Sequence, residues 1–311
     1  MAAITAAMVK ELRESTGAGM MDCKKALTAA DGDMEKAVEV LREKGLAAAA
    51  KKAGRIAAEG LVAAAVEGNT AAIVEVNSET DFVAKNADFQ AYVAAVADQA
   101  LHSDAADLDA FLAEPWAGDP SLTVAQELSE KIAVIGENLN IRRFAKVVNT
   151  DGCVVSYVHG GGRIGVLVDA SCEKVDDQVR EALRNIAMQV AALKPQYVCR
   201  EEIDEAFIAH EKEILMAQIK NDPKEASKPE KVIEGMITGR LNKELKEFCL
   251  VDQVYVKAED GKQTVAKYLD EVSKAVGSKI TIKKFVRFET GEGLEKKQEN
   301  FAEEVAKQIG K

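Results

Sequence analysis

Cysteine and histidine are scarce in this chain, and that removes several functions at once. Its 311 residues hold five cysteines: Cys23, Cys153, Cys172, Cys199 and Cys249. No two stand at Cys-x-x-Cys spacing and the number is odd. A disulfide framework or zinc knuckle is therefore not expected, and reduced, buried thiols are. The three histidines, His102, His159 and His210, are far apart, and none has a partner at metal-ligating spacing. Aromatic residues make up only 5%, with Trp116 the single tryptophan. No run approaches the ~18 apolar residues of a membrane span. The N-terminal stretch MAAITAAMVKELRE is broken by Lys10 and Glu11, so it does not read as a signal peptide. A cytoplasmic protein without membrane attachment is expected. No G-x-x-x-x-G-K-[ST] phosphate loop is present.

Against these gaps stands ample material for a core. Apolar residues make up 47%, and the length suggests two or three modules. Alanine is concentrated at one end, with 28 in residues 1–100 and 22 in the rest, which favours closely packed helices there. The net charge of −11 argues against a protein that coats nucleic acid. Its distribution is uneven. Residues 1–55 carry ten basic and eight acidic side chains (+2), residues 56–140 two and fifteen (−13), and residues 141–311 29 of each (0). The middle segment should repel phosphate and favour basic or metal-bearing partners, or simply form a solvated acidic face.

Periodicity predicts an α+β fold. Residues 1–45 read as three short helices. Ile4, Met8, Val9 and Leu12 share a face of the first, and Gly17 ends it. The second begins near Met21-Asp22. The third is capped by Asp33 and ends at Gly45. So small a core is marginal alone and should dock on something. Residues 46–59 are expected to be a linker, helical at first. Residues 60–67 and 70–77 then flank Gly68-Asn69 as a β-hairpin, and a helix follows from about Thr80 to Leu101 with Thr80 or Asp81 as its cap. Residues 104–118 read as an irregular, helix-like insert and 121–136 as a helix. The plan recurs: strands at 153–158 and 164–170 flank a glycine turn before a helix at 175–193. This strand–turn–strand–helix repetition predicts two related α+β subdomains.

The domain boundaries that follow are 1–55 for the three-helix module and linker and 56–140 for the first core subdomain. The second subdomain takes 141–200 and 249–296. It is interrupted by a helical hairpin at 201–248 and followed by a C-terminal helix within 297–311. The hairpin is either a projecting interaction arm or a pair of helices folded back on the sheet. A helix at 264–276, a strand at 279–288 and a helix at 300–309 complete the reading.

Gly160-Gly161-Gly162-Arg163-Ile164-Gly165 satisfies G-x-G-x-x-G literally. A dinucleotide site needs a helix N-terminus after the glycines, but Val166-Leu167-Val168 reads as a strand. A tight hairpin requiring positive φ explains the glycines better.

Five segments carry a resemblance: LRESTGAGMMDCKKAL at 12–27, EVNSETDFVAK at 75–85, IGENLNIRR at 135–143, HGGGRIGVLV at 159–168 and RFETGEGLEK at 287–296. Together they resemble the elongation factor Ts family, guanine-nucleotide exchange factors of bacterial translation. The resemblance implies a ubiquitin-associated-like three-helix module that docks on the G domain of elongation factor Tu through Met20 and Met21, with Leu12 nearby. Leu12 reads equally well as core. It also implies that Thr80, Asp81, Phe82 and Val83 form the motif that dislodges Mg²⁺ from that partner, and that His159 approaches the partner from a hairpin tip. Without the resemblance, Phe82 reads more simply as core or as part of a helix cap. The implied factor has no covalent chemistry and no cofactor or metal of its own. It acts on GDP and Mg²⁺ held by the partner, without nucleic acid or membrane. A homodimer or 2:2 complex through the 201–248 hairpin stays open. The main alternative is a non-catalytic adaptor that binds another protein through its three-helix module. A metabolic enzyme using the 160–165 loop is a second.

Overall fold

Two three-stranded antiparallel sheets, built to the same plan, organise the chain. The computed structural model describes residues 4–295. The helix expected at 300–309, within the 297–311 segment, lies outside the described residues. The first sheet has the order β1(Glu59–Glu67), β2(Thr70–Ser78), β5(Asn140–Val148). The second has the order β6(Gly152–His159), β7(Ile164–Ser171), β8(Thr281–Glu289). In each sheet a two-strand hairpin leads into a helix, α5(Ala87–His102) or α8(Asp177–Leu193), that packs on the hairpin. In each, a further helix precedes the third strand: α7(Val124–Ile135) or α12(Val265–Val276). The two are even capped alike, by Thr123 and Gly136 and by Thr264 and Gly277.

The strand alternation sorts side chains between layers. On β2, Ala72, Val74 and Val76 join Phe89, Val93 and Val96 of α5 in one core. Ala71 and Ile73, on the opposite face, meet Val154, Leu167 and Phe288 of the second sheet. Being buried on both faces, β2 reads as a nearly continuous apolar run. The glycine run at 160–165 forms the β6–β7 turn, with Gly160, Gly161 and Gly162 all at positive φ. It also lets the sheets approach: a Cβ on Gly165 would lie 2.4 Å from Val62 Cγ1.

The three helices α1(Ala6–Thr16), α2(Met20–Ala29) and α3(Met34–Lys52) enclose a small core of Val9, Leu12, Cys23, Ala26 and Leu27. Gly45 does not end α3, which continues to Lys52 and docks on α7. The glycine serves close packing, since a Cβ there would meet Ser129 O at 3.6 Å and Ala133 Cβ at 3.7 Å.

Other expectations shift as well. The helix expected from Thr80 to Leu101 is two helices, α4(Asp81–Ala84) and α5, because Asn86 caps α5 by accepting from the Asp88 and Phe89 amides. The 104–118 insert contains α6(Leu108–Ala113) and strand β3(Pro115–Trp116), which pairs with β4(Asp119–Thr123). The strand β5 lies beyond the 140/141 boundary yet hydrogen-bonds to β2, so the first sheet extends to Val148.

Between α8 and α12, α9(Glu205–Asn221), the short α10(Pro223–Ala226) and α11(Glu230–Phe248) form an antiparallel arm. Its apolar seam, with Leu215, Ile219, Ile237, Leu241 and Leu245, draws among the described residues only on 197–249. Among the described residues, no helix is long and apolar enough to cross a membrane.

Candidate functional site

The chain leaves β2 at Ser78 and turns into α4, a single helical turn. Thr80 has extended backbone and is its N-cap: its hydroxyl oxygen accepts from Val83 N at 3.4 Å. Ser78 Oγ donates to Thr80 O at 3.0 Å. This geometry directs Asp81 and Phe82 outward. Phe82 is 79% exposed, the most exposed of the large apolar side chains among the described residues. Val83 is half-buried and packs on the α5 core. Asp81 Oδ2 accepts from Lys85 Nζ at 2.6 Å, and this bond holds the Asp81 carboxyl below its ordinary range. The Lys85 ammonium also lies 5.9 Å from the Phe82 ring centroid. An aromatic side chain thus stands in solvent beside an ionised carboxylate. Exposing an aromatic group of this size has a hydration cost that burial in a partner would recover.

The turn is anchored by residues that sequence reasoning passed over. One carboxylate oxygen of Glu137 accepts from the Glu79 and Thr80 amides, both at 3.1 Å, and the other from the Thr80 hydroxyl at 2.6 Å. In return Glu79 Oε1 accepts from Asn138 N at 2.6 Å. Residues 79–80 and 137–138 are therefore fastened in both directions. Both pairs lie in segments singled out in the sequence, 75–85 and 135–143, but nothing in either segment tells that they meet.

The α1–α2 turn also lies against α7. A Cβ on Gly17 would meet both methyls of Val134 at 3.9 Å. Beyond that turn, Met20 and Met21 are 59% and 62% exposed. Leu12 is placed differently from the expectation of a contact residue: it is fully buried among Val9, Cys23 and Leu27. Its position on the inward face of α1 makes it packing, while the methionines at the mouth of the turn remain at the surface.

His159 ends β6, exposed, with Nδ1 2.8 Å from the Tyr157 hydroxyl. The turn after it docks on the first sheet: Gly162 O accepts from Val62 N at 2.7 Å and from Thr290 Oγ1 at 3.2 Å. That contact is made at Val62, opposite Glu75 on β2, in the half of β1 whose Glu59 end lies opposite Ser78 and the start of the Phe82 turn. The methionine turn, the Phe82 turn and the His159 hairpin are thus fixed to one connected framework: the end of α7, the end of β2 and the start of β1.

Among the described residues, no group of three His, Cys, Asp or Glu side chains is arranged to hold a metal ion.

Comparison with known proteins places this chain in a family. The family described as elongation factor TS matches residues 79–292. Elongation factor Ts of Clostridioides difficile (strain 630) is 56% identical over 311 residues, covering 99% of this chain and 100% of its own. The protein of the same name from Clostridium novyi (strain NT) is 55% identical over 308 residues, 98% of this chain and 99% of its own.

Proposed function

This chain belongs to the elongation factor Ts family, and from that premise we propose that it binds elongation factor Tu carrying GDP, dislodges Mg²⁺ and speeds GDP release so that GTP can bind. The observation that carries the proposal is the exposure of Phe82 on a capped turn, beside ionised Asp81. In this reading Phe82 enters the partner as a wedge. Asp81 exchanges its bond to Lys85 for the surroundings of the Mg²⁺, whose ligands it disturbs. Met20, Met21 and His159 grip the same partner from either side.

No covalent step is required. An exchange factor works by binding the nucleotide-free partner more tightly than the GDP-bound one. The coupling is reciprocal: a factor that weakens GDP is itself weakened by GDP to the same degree. Burying one Phe contributes ~1.5–3 kcal/mol, and each tenfold change in affinity takes ~1.4 kcal/mol. Phe82 therefore accounts for about one or two decades, and the remainder falls to the module and the second subdomain. The factor uses no resident cofactor, nucleic acid or membrane, and it works in the cytoplasm. A second copy or a 2:2 complex would pair through the α9–α11 arm.

The test is to load elongation factor Tu with fluorescent GDP, add the chain and follow release. Accelerated release that slows in F82A and D81A supports the reading. Stable binding indifferent to guanine nucleotide would instead identify an adaptor.

A further inference from the structure

A four-residue helix cannot hold its own direction. At its far end α4 is closed by Lys85 N donating to Phe82 O at 3.2 Å and Asn86 N to Val83 O at 2.9 Å, and the Lys85–Asp81 ion pair along its side is exposed to solvent. An isolated turn of this length is unfavourable in water, because one or two hydrogen bonds do not offset the fixed dihedrals. The direction of Phe82 must be imposed from outside the turn.

The half-buried Glu137 carboxylate does this with three bonds, to the amides of Glu79 and Thr80 and to the Thr80 hydroxyl. A hydroxyl has one hydrogen to donate. With that hydrogen directed at Glu137, the Thr80 lone pairs are left to receive the Val83 amide, so the carboxylate fixes the sense of the cap. Charge-assisted bonds of this kind are about twice as strong as neutral ones. The returning bond from Asn138 N to Glu79 Oε1 prevents residues 79 and 137 from sliding past each other.

We infer that Glu137 is a positioning residue for nucleotide exchange: its carboxylate sets the Thr80 cap and thereby the direction in which Phe82 is presented. Glu137 touches neither nucleotide nor metal in this role. The inference rests on the reading of Phe82 as the wedge.

The test uses the full chain as wild type, F82A, E137A, E137Q and the F82A/E137A double variant. GDP release from preloaded elongation factor Tu is measured against factor concentration, giving a maximal rate and a half-saturating concentration. Amide hydrogen exchange across residues 79–85 and thermal unfolding are recorded on the free chains. E137A should lower the maximal rate about tenfold, with the half-saturating concentration changed no more than about twofold. The Glu79 and Thr80 amides should lose protection. In the F82A background, E137A should cost nothing further, because two residues acting through one wedge are not additive.

E137Q keeps an oxygen for the amides but turns an N–H₂ toward the Thr80 hydroxyl. It should fall between wild type and E137A, and it carries the same comparisons if E137A does not fold. A folded Glu137 variant with wild-type release overturns the inference and leaves the wedge reading intact. So does a double variant in which the two losses multiply. Wild-type release by F82A removes the wedge reading and this inference with it.

Discussion

Gly291 donates its backbone N–H to the Glu75 carboxylate at 2.8 Å, and both residues are buried. The bond joins the strand that leads into the Phe82 turn to the segment that follows the last strand of the other sheet. Arg142 Nη1 and Arg143 Nε reach the same carboxylate at 3.0 and 2.6 Å, while Arg142 Nη2 donates onward to Glu292 O at 2.6 Å. Close approach makes Gly291 necessary: it has φ of 70°, and a Cβ there would lie 2.0 Å from Ala58 O. Arg142, Arg143 and Gly291, from two segments distant in sequence, thus converge on the carboxylate of Glu75 in a third.

Removing that carboxylate should therefore weaken the hold between the two sheets. A buried charge pair broken on one side typically costs 3–5 kcal/mol. The arginines here keep some access to solvent, with side chains 22% and 30% exposed. E75A should accordingly lose about 3 kcal/mol, at the lower end of that range. E75Q, which retains an acceptor for the Gly291 amide, should lose less. Urea unfolding followed by the fluorescence of Trp116, packed at 6.0 Å on Tyr92, reads the change. A loss in E75A below about 1 kcal/mol, the scale of an exposed ion pair, would show that the carboxylate does not brace the sheets.

The α3–α7 contact predicts opposite signs for two substitutions at Gly45. The distances of 3.6 and 3.7 Å from a Cβ to Ser129 O and Ala133 Cβ are ordinary contact, so alanine fits. Alanine is favoured over glycine within a helix by about 0.8–1 kcal/mol. G45A should match or exceed wild-type stability. Leucine overfills the contact and should destabilise by about 1–3 kcal/mol. Thermal melts of both variants decide this. Equal stability of G45L and G45A would mean that α3 does not pack here.

Acid should loosen the junction of α8 with β8. Glu289 accepts from Lys194 Nζ at 2.5 Å and from Arg287 Nη2 at 2.8 Å. Those two cations hold its carboxyl at about 2, against an ordinary value of 4.5. The folded pKa is the lower one, so the stabilisation is complete above the unfolded value. It is lost as pH falls from 4.5 toward about 2, where both states are protonated. E289Q should be less stable than wild type near neutral pH, and the gap should close across that window. A gap in denaturant midpoint that stays constant with pH would show that Glu289 is not ionised by its neighbours.

Much of this architecture is legible from residue order. Alternation around Gly68-Asn69 and around the 160–162 glycines gives both hairpins, and the 3.6-residue period gives α8 with Val179, Leu183, Ile186 and Val190 inward; Leu193, which the same period puts on that face, is 47% exposed at the end of the helix. The strand β5 is hidden because NIRRFAKVV carries three cations, and Arg142 and Arg143 gain a place at the sheet through partners far away in sequence, Glu75 above all, with Glu292 O and the Phe288 ring. The break between α4 and α5 is hidden because it depends on the Asn86 cap, and asparagine is also tolerated within helices. The motif residues at 80–83 are visible through family resemblance. The Glu137 clamp is not, since its partners are mostly backbone amides, which leave no mark on the sequence.

The family resemblance groups Leu12, Met20 and Met21 as contact residues, and their burial divides them. Leu12 is completely enclosed, and truncating a buried leucine costs ~2–5 kcal/mol. The three-helix module has so small a core that L12A should unfold it at a temperature where the two sheets persist. A separate early transition in a melt followed by circular dichroism would report this. Met20 and Met21 are more than half exposed and cover none of that core, so M20A/M21A should melt like wild type. Its deficit should appear only with the partner present, as a raised half-saturating concentration of the factor in GDP release. Adaptable methionine side chains contribute contact area rather than fold. If L12A melted as wild type does, or if the methionine pair proved necessary for folding, the inward and outward faces of this module would have to be exchanged.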